Sequence, residues 1–196
     1  MVHNYVRKNI KANFNTDMRV VAPSYKMGHY HSHNRWELFY LASGSCSISL
    51  KDDIYLLESG CIILIPENMP HMTTYLSGKS NDRRLVYFDT PELAWTCKQT
   101  GIDAVHIFSD GFIVKIPQRR RQYVSDIITK ITYEHKDVDD FSESFVRAYF
   151  NELILFLLRC HKYEANVLQK MDVSNAIIQK VIEYIIINYK NDITLA

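Results

Sequence analysis

The sequence predicts a β-sandwich or β-barrel with helices behind it, because its texture changes once, near Pro117. Ahead of that point, short apolar or alternating runs recur at 19–22, 37–42, 46–50, 54–57, 61–65, 85–88 and 112–116. Ser43-Gly44, Lys51-Asp52-Asp53, Ser59-Gly60 and Ser77-Gly78 separate them, and all of these suit tight turns. Many short strands spaced this closely mark an all-β sandwich or barrel. One interruption is expected, a short helix over 91–100 that Gly101 ends.

Behind Pro117 the apolar spacing becomes helical. Val124, Ile127, Ile128 and Ile131 form the stripe of one amphipathic helix. The acidic stretch Asp137-Val138-Asp139-Asp140 breaks it, and Ser142 suits the N-cap of the next helix. That helix carries Phe145, Tyr149, Phe150, Leu153, Ile154, Phe156, Leu157, Leu158 and Cys160. From Phe150 onward it is apolar nearly all round, too broad for a single neighbour. A second apolar contact is therefore expected, within the chain or across a homodimer, with Phe145, Tyr149, Leu153, Phe156 and Leu157 as the dimerisation candidates. A last helix reads over 174–189, with Ile177, Val181 and Ile185 as its stripe, and Thr194 starts another turn.

Composition narrows the function classes. At 196 residues the chain can bury a real core and hold one domain with an appendage. A net charge of +1 gives no general attraction to nucleic acid or anionic membrane. Cys46, Cys61, Cys97 and Cys160 lie far apart and form no C-x-x-C pair, so they read as isolated thiols of a reducing compartment. The N-terminus lacks the apolar stretch of a signal peptide. The longest apolar run, 153–158, is too short to span a bilayer. A cytoplasmic protein without a membrane partner is expected. No Gly-rich phosphate loop, nucleophile elbow or Cys-His pair assigns a catalytic residue. Arg83-Arg84 and Arg119-Arg120-Arg121 read as solvated basic faces, and Glu134 and His135 as surface residues.

Two spaced motifs carry the chemistry. His31-x-His33-x3-Glu37-x6-Gly44 is followed by Gly60-x5-Pro66-x4-His71. Residues two apart on a strand face one side, so His31 and His33 project together, and Glu37 keeps that parity on a regular strand. A later strand that brings in His71 completes three imidazoles and a carboxylate, a set that Zn, Fe, Mn or Ni accepts. His29 shares the parity, either as an additional ligand or as the frayed start of the strand. Phe39 and Leu41 continue the same face, while Trp36 and Tyr40 face away. Tyr87 and Trp95 are further aromatic candidates for lining a ligand site.

The paired motifs resemble the cupin signature, which implies a double-stranded β-helix barrel over residues 19–116. Two positions depart from it: Asn68 stands where the second motif usually has Gly, and Tyr75 where it usually ends in Asn. Asn tolerates left-handed backbone, so the first change is mild. The C-terminal segment adds a second resemblance. Tyr184, Ile185, Asn188, Tyr189, Ile193, Thr194 and Leu195 are similar to the opening of the DNA-binding domain of AraC-type transcription regulators.

That family resemblance implies a division of the chain. Residues 1–18 would be an N-terminal arm, 19–116 the ligand-sensing barrel, and 117–172 the helical dimerisation region. Residues 173–196 would be a linker helix and the start of a helix-turn-helix domain that lies beyond the chain. It implies a ligand-sensing and dimerising domain that works without a metal cofactor, binds a small polar inducer such as a sugar, and meets DNA only through the missing domain. The ligand-binding residues would be His31, His33, Glu37, Phe39, Leu41, His71, Tyr87 and Trp95. A second reading keeps His31, His33, Glu37 and His71 as ligands of a divalent metal in a cupin enzyme, a dioxygenase or isomerase.

Overall fold

The computed structural model describes residues 14–22, 29–51, 53–75 and 80–163, together with 181, 184 and 185. Among the described residues, eight strands form two antiparallel sheets. β1 (Phe14–Val21), β2 (Trp36–Ser43), β5 (Cys61–Ile65), β7 (Asn81–Phe88) and β8 (Phe112–Lys115) make one, in the order β1-β7-β2-β5-β8. β3 (Ser45–Leu50), β4 (Asp53–Glu58) and β6 (His71–Tyr75) make the other, in the order β4-β3-β6. Helices α1 (Thr90–Thr100) and α2 (Ala104–Ile107) separate β7 from β8, and α3 (Gln118–Lys136) and α4 (Ser142–Tyr163) follow. This is the cupin-like barrel with C-terminal helices that the sequence predicts.

Alternation along the strands builds two apolar layers. Trp36, Leu38 and Tyr40 of β2, Ile62 and Leu64 of β5, and Val86 and Phe88 of β7 face the helices, where Val124, Ile131, Phe150, Leu153 and Leu157 meet them. Phe39, Leu41, Ile63 and Leu85 point the other way, onto Cys46, Ile48, Leu50, Leu57 and Tyr75 of the smaller sheet. β2 is covered on both faces, which explains its near-continuous apolar run, Trp36 to Ala42.

Turn chemistry holds the motif glycine and asparagine in place. Gly44 has φ 97, and a Cβ there would lie 2.1 Å from the Asn81 Oδ1. That oxygen accepts the Ser45 N–H at 2.8 Å and so pins the β2–β3 turn. Asn68 takes φ 61, the left-handed conformation that the family's usual glycine would hold.

Several boundaries differ from the sequence reading. β1 begins at Phe14, so residues 14–18 are strand and not arm; Phe14 is buried against Phe150, with ring centroids 4.9 Å apart. α2 was not expected, since four residues offer no periodicity to read. At the start of α4, Asp139 caps the helix: its carboxylate accepts the N–H groups of Phe141 and Ser142, while the Ser142 hydroxyl accepts that of Asp139. The breadth of α4 has an intrachain cause, because Leu153, Phe156 and Leu157 are buried at 0%, 5% and 0% exposure against the sheet and α3. Those three are not open surface for a dimer partner; Phe145 is 47% exposed and stacks on the half-buried Tyr149. The helix read over 174–189 and the turn at Thr194 lie almost wholly outside the described residues. No described helix is long and apolar enough to cross a membrane.

Candidate functional site

His31, His33, Glu37 and His71 come together in the barrel, with one ligand atom from each within 4.8 Å of the others. The route differs from simple strand parity. Regular strand begins only at Trp36, and residues ahead of it form a bend with one isolated bridge, His31 to His71. Reciprocal backbone bonds of 3.0 and 2.9 Å make that bridge. The His33 carbonyl accepts the Asn68 N–H at 2.7 Å, which ties the same segment to the left-handed turn before β6. Both motifs thus close on each other through the backbone, and their side chains follow.

Hydrogen bonds set the orientation of two rings. His33 Nδ1 lies 2.7 Å from the Arg35 carbonyl, and His71 Nδ1 lies 2.9 Å from that of Met69. A carbonyl only accepts, so both Nδ1 atoms donate, and both Nε2 atoms turn to the centre. His33 Nε2 is 2.9 Å from Glu37 Oε2, and His71 Nε2 is 3.6 Å from the same oxygen. His71 Nε2 and His31 Nδ1 are buried without a hydrogen-bond partner.

Electrostatics follow from this crowding. Burial pushes the Glu37 carboxyl up, yet its hydrogen bond to His33 and the nearby His71 ring outweigh that and hold it down at about 2. The bond to Glu37 raises His33 against its desolvation, whereas burial and then His71 lower His31. Tyr87 edges onto the His33 ring at 5.4 Å, and burial followed by Glu37 raises its hydroxyl.

Phe39 and Leu41 line the barrel interior beside this cluster, as their parity predicts, and Tyr87 packs there as well. Trp95 does not: it sits on the outer helix α1, 40% exposed, so it cannot line the barrel. Arg83 was read as a solvated basic residue, but it faces inward with the parity of Leu85 and Tyr87. It pairs with Asp17 at 3.1 Å and lies against the Tyr75 hydroxyl. That parity is legible in the sequence; the partner Asp17 is not, because it belongs to a strand that the apolar pattern starts only at residue 19. Arg84 faces the helices and donates to Ser125 of α3. His29 has no described contact that draws it into the cluster beyond a weak charge effect on His31.

With this geometry in view, the comparisons with known proteins are specific. The sequence pattern of the AraC-like ligand binding domain matches residues 20–144, more than half of the chain. The chain belongs to that family. Among solved structures, it is similar to apo ToxT of Vibrio cholerae, with a TM-score of 0.60 at 13% identity over 95% of this chain and 69% of that one. It is similar to ToxT of the same species bound to an unsaturated fatty acid, with 0.55 at 15% identity over 96% and 68%. It also resembles ToxT bound to (E)-4-(8-methylnaphthalen-1-yl)but-3-enoic acid, with 0.53 at 14% identity over 93% and 68%. At such identities the likeness is one of fold. No curated protein matches the sequence. The matched pattern is that of a ligand-binding domain.

Proposed function

We propose that this chain is the sensing domain of a cytoplasmic AraC-type transcription regulator, and that it binds a small polar molecule inside the barrel. The observation that carries this reading is the polar cluster of half-buried His31 and His33 with buried Glu37 and His71, beside the apolar Phe39, Leu41 and Tyr87. A pocket of that composition orients polar groups and desolvates the rest of a ligand. The family match supports sensing as the purpose.

Ligand class follows from the polarity of the cluster. An alkyl chain would leave its four polar side chains unpaired, so a hydroxyl-bearing ligand that exchanges hydrogen bonds with them fits better than a lipid. ToxT structures hold a fatty acid and another carboxylic acid; for this chain a sugar or similar polyol suits the acceptors more closely. Binding to one arrangement of barrel and helices in preference to another shifts their equilibrium, and the shift is what a DNA-binding domain elsewhere in the regulator reports.

Homodimerisation through the helices belongs to the same reading. Support comes from the outer side of α4, where Phe145, Leu155 and Tyr163 are 47%, 39% and 72% exposed.

Calorimetric titration with a panel of monosaccharides and polyols tests the function, with Glu37→Gln and His71→Ala as controls checked for folding. A ligand that binds the wild type and loses at least tenfold in affinity with both variants supports the site. A cognate inducer that binds both variants as tightly as the wild type overturns it.

A further inference from the structure

A second polar pole lies inside the barrel, away from the motif residues. On the inward face of β7, Tyr87 stands opposite Glu37, and Arg83, opposite Leu41, is four residues further along. Those four residues of strand span roughly 13 Å. We infer that Arg83 sets ligand specificity: its guanidinium takes a carboxylate of the sensed molecule, which is then a sugar acid or related hydroxy acid and not a neutral sugar. This rests on the sensing reading of the barrel.

Charge gives the first argument. Arg19 of β1 is the cross-strand partner of Arg83, and like charges directly opposite each other destabilise a sheet. Asp17 serves both: its Oδ1 lies 2.7 Å from Arg19 Nε, and its Oδ2 lies 3.1 Å from Arg83 Nη2. Among the described residues, no other carboxylate forms an ion pair with either arginine. Two guanidiniums against one carboxylate leave a surplus positive charge at this end of the barrel. Arg84 takes no part, since it faces the helices and pairs with Asp82 at 3.2 Å.

Unused donors give the second argument. The Arg83 side chain is only 12% exposed, yet its Nε is buried and donates to nothing. Asp17 takes Nη2, and the Tyr75 hydroxyl lies against the guanidinium. A buried donor without an acceptor costs stability, and the fork of an arginine matches the two oxygens of a carboxylate. A ligand carboxylate would satisfy Nε and offset the surplus charge together. A dianionic phosphate fits less well, because it brings more charge than the surplus and meets Asp17 beside it.

The stretch between the poles is lined by Phe39 and Leu85. Burial raises the hydroxyls of Tyr75 and Tyr87, and each also feels the charges of both Arg83 and Glu37. These tyrosines therefore connect the two poles. A ligand held by its carboxylate at Arg83 extends its hydroxyls past them toward Glu37 and the histidines.

The test is calorimetric titration with matched probes: glucose against gluconate and glucuronate, galactose against galacturonate, and glucose 6-phosphate. At least one acid should bind about tenfold or more tightly than its neutral counterpart, as expected for a charge-assisted bond. Arg83→Gln should erase that preference; it should fold, because Asp17 keeps Arg19 as a partner. Asp17→Asn is the second variant. It removes the internal competitor for Arg83 and should tighten acid binding several-fold, whereas a purely structural pair would lose stability without moving the ratio of acid to neutral affinity. Neutral sugars that bind as tightly as the acids, no binding by any acid, or a ratio unmoved in both variants overturns the inference. Tighter binding of glucose 6-phosphate than of the acids overturns the carboxylate assignment. A neutral sugar whose binding needs Glu37 and His71 but not Arg83 overturns this inference and leaves the sensing reading standing. Acid binding that needs Arg83 but is unchanged in Glu37→Gln and His71→Ala supports the inference and overturns the cluster as the sensing site.

Discussion

The two faces of the five-stranded sheet come from the same strands and are chemically opposed. Toward the helices, Trp36, Leu38, Tyr40, Ile62, Leu64, Val86 and Phe88 meet α3 and α4 in an almost unbroken apolar layer. Toward the smaller sheet, Glu37 and Arg83 interrupt the row formed by Phe39, Leu41, Leu85 and Tyr87. Burial on the first side stabilises the fold; burial of ionised groups on the second costs stability unless each finds a partner. A fold that needed only a core would not place them there, so the second face is where binding is to be sought.

Substitution should separate the faces. The largest effect is expected at Phe150, which touches Phe14 and Phe88 with ring centroids at 4.9 and 4.6 Å. Phe150→Ala should lower unfolding free energy by about 3–5 kcal/mol in urea. A loss below about 1 kcal/mol would show that the helical layer is not the main source of stability.

Glu37→Gln should cost less, about 2 kcal/mol as for a charge-assisted bond, and its cost should depend on pH. Glu37 is depressed from 4.5, so its contribution is present above that pH and is lost as pH falls toward about 2. His33 is raised from 6.5, so its contribution is complete below 6.5 and disappears as pH rises through its folded value. In chelator, the stability gap between wild type and variant should be widest between pH 4.5 and 6.5 and narrow on both sides. A gap that does not change with pH would mean that the pair is not an ion pair.

On the helical side α1 is tied to α4, where Arg147 Nε and Nη2 each reach Glu92 at 3.2 Å. Glu92→Gln should cost about 1 kcal/mol, measured by thermal unfolding, because Arg147 keeps Glu143 at 3.4 Å as a second partner. The smallest effect on stability is expected at exposed Phe145. Phe145→Ser should shift it by less than about 0.5 kcal/mol while lowering the mass seen in light scattering from dimer to monomer. An unchanged mass would remove this face from the dimer interface.

Legibility in the sequence divides along the same line. Strands and helices were readable because their apolar periods are local: alternation marks β2 and β5, and the stripe of Val124, Ile127, Ile128 and Ile131 marks α3. Motif spacing named His31, His33, Glu37 and His71 and placed Phe39 and Leu41 beside them. Trp95 was misplaced because an aromatic on a short helix carries no sign of which way that helix packs. Arg83 was misread because adjacent arginines look alike in sequence, although Arg83 and Arg84 point to opposite faces of one strand.

By itself, then, the chain's sequence determined the strand-then-helix order, the turn residues Gly44 and Asn68, and the residue types at the cluster, since each depends on neighbours within a few positions. Only the tertiary structure decided that Leu153, Phe156 and Leu157 are spent inside the chain, that Asp17 meets Arg83, and that backbone carbonyls of Arg35 and Met69 aim two imidazoles at Glu37. Those contacts join residues far apart in sequence or turn on a carbonyl's direction, and no local pattern of side chains encodes either.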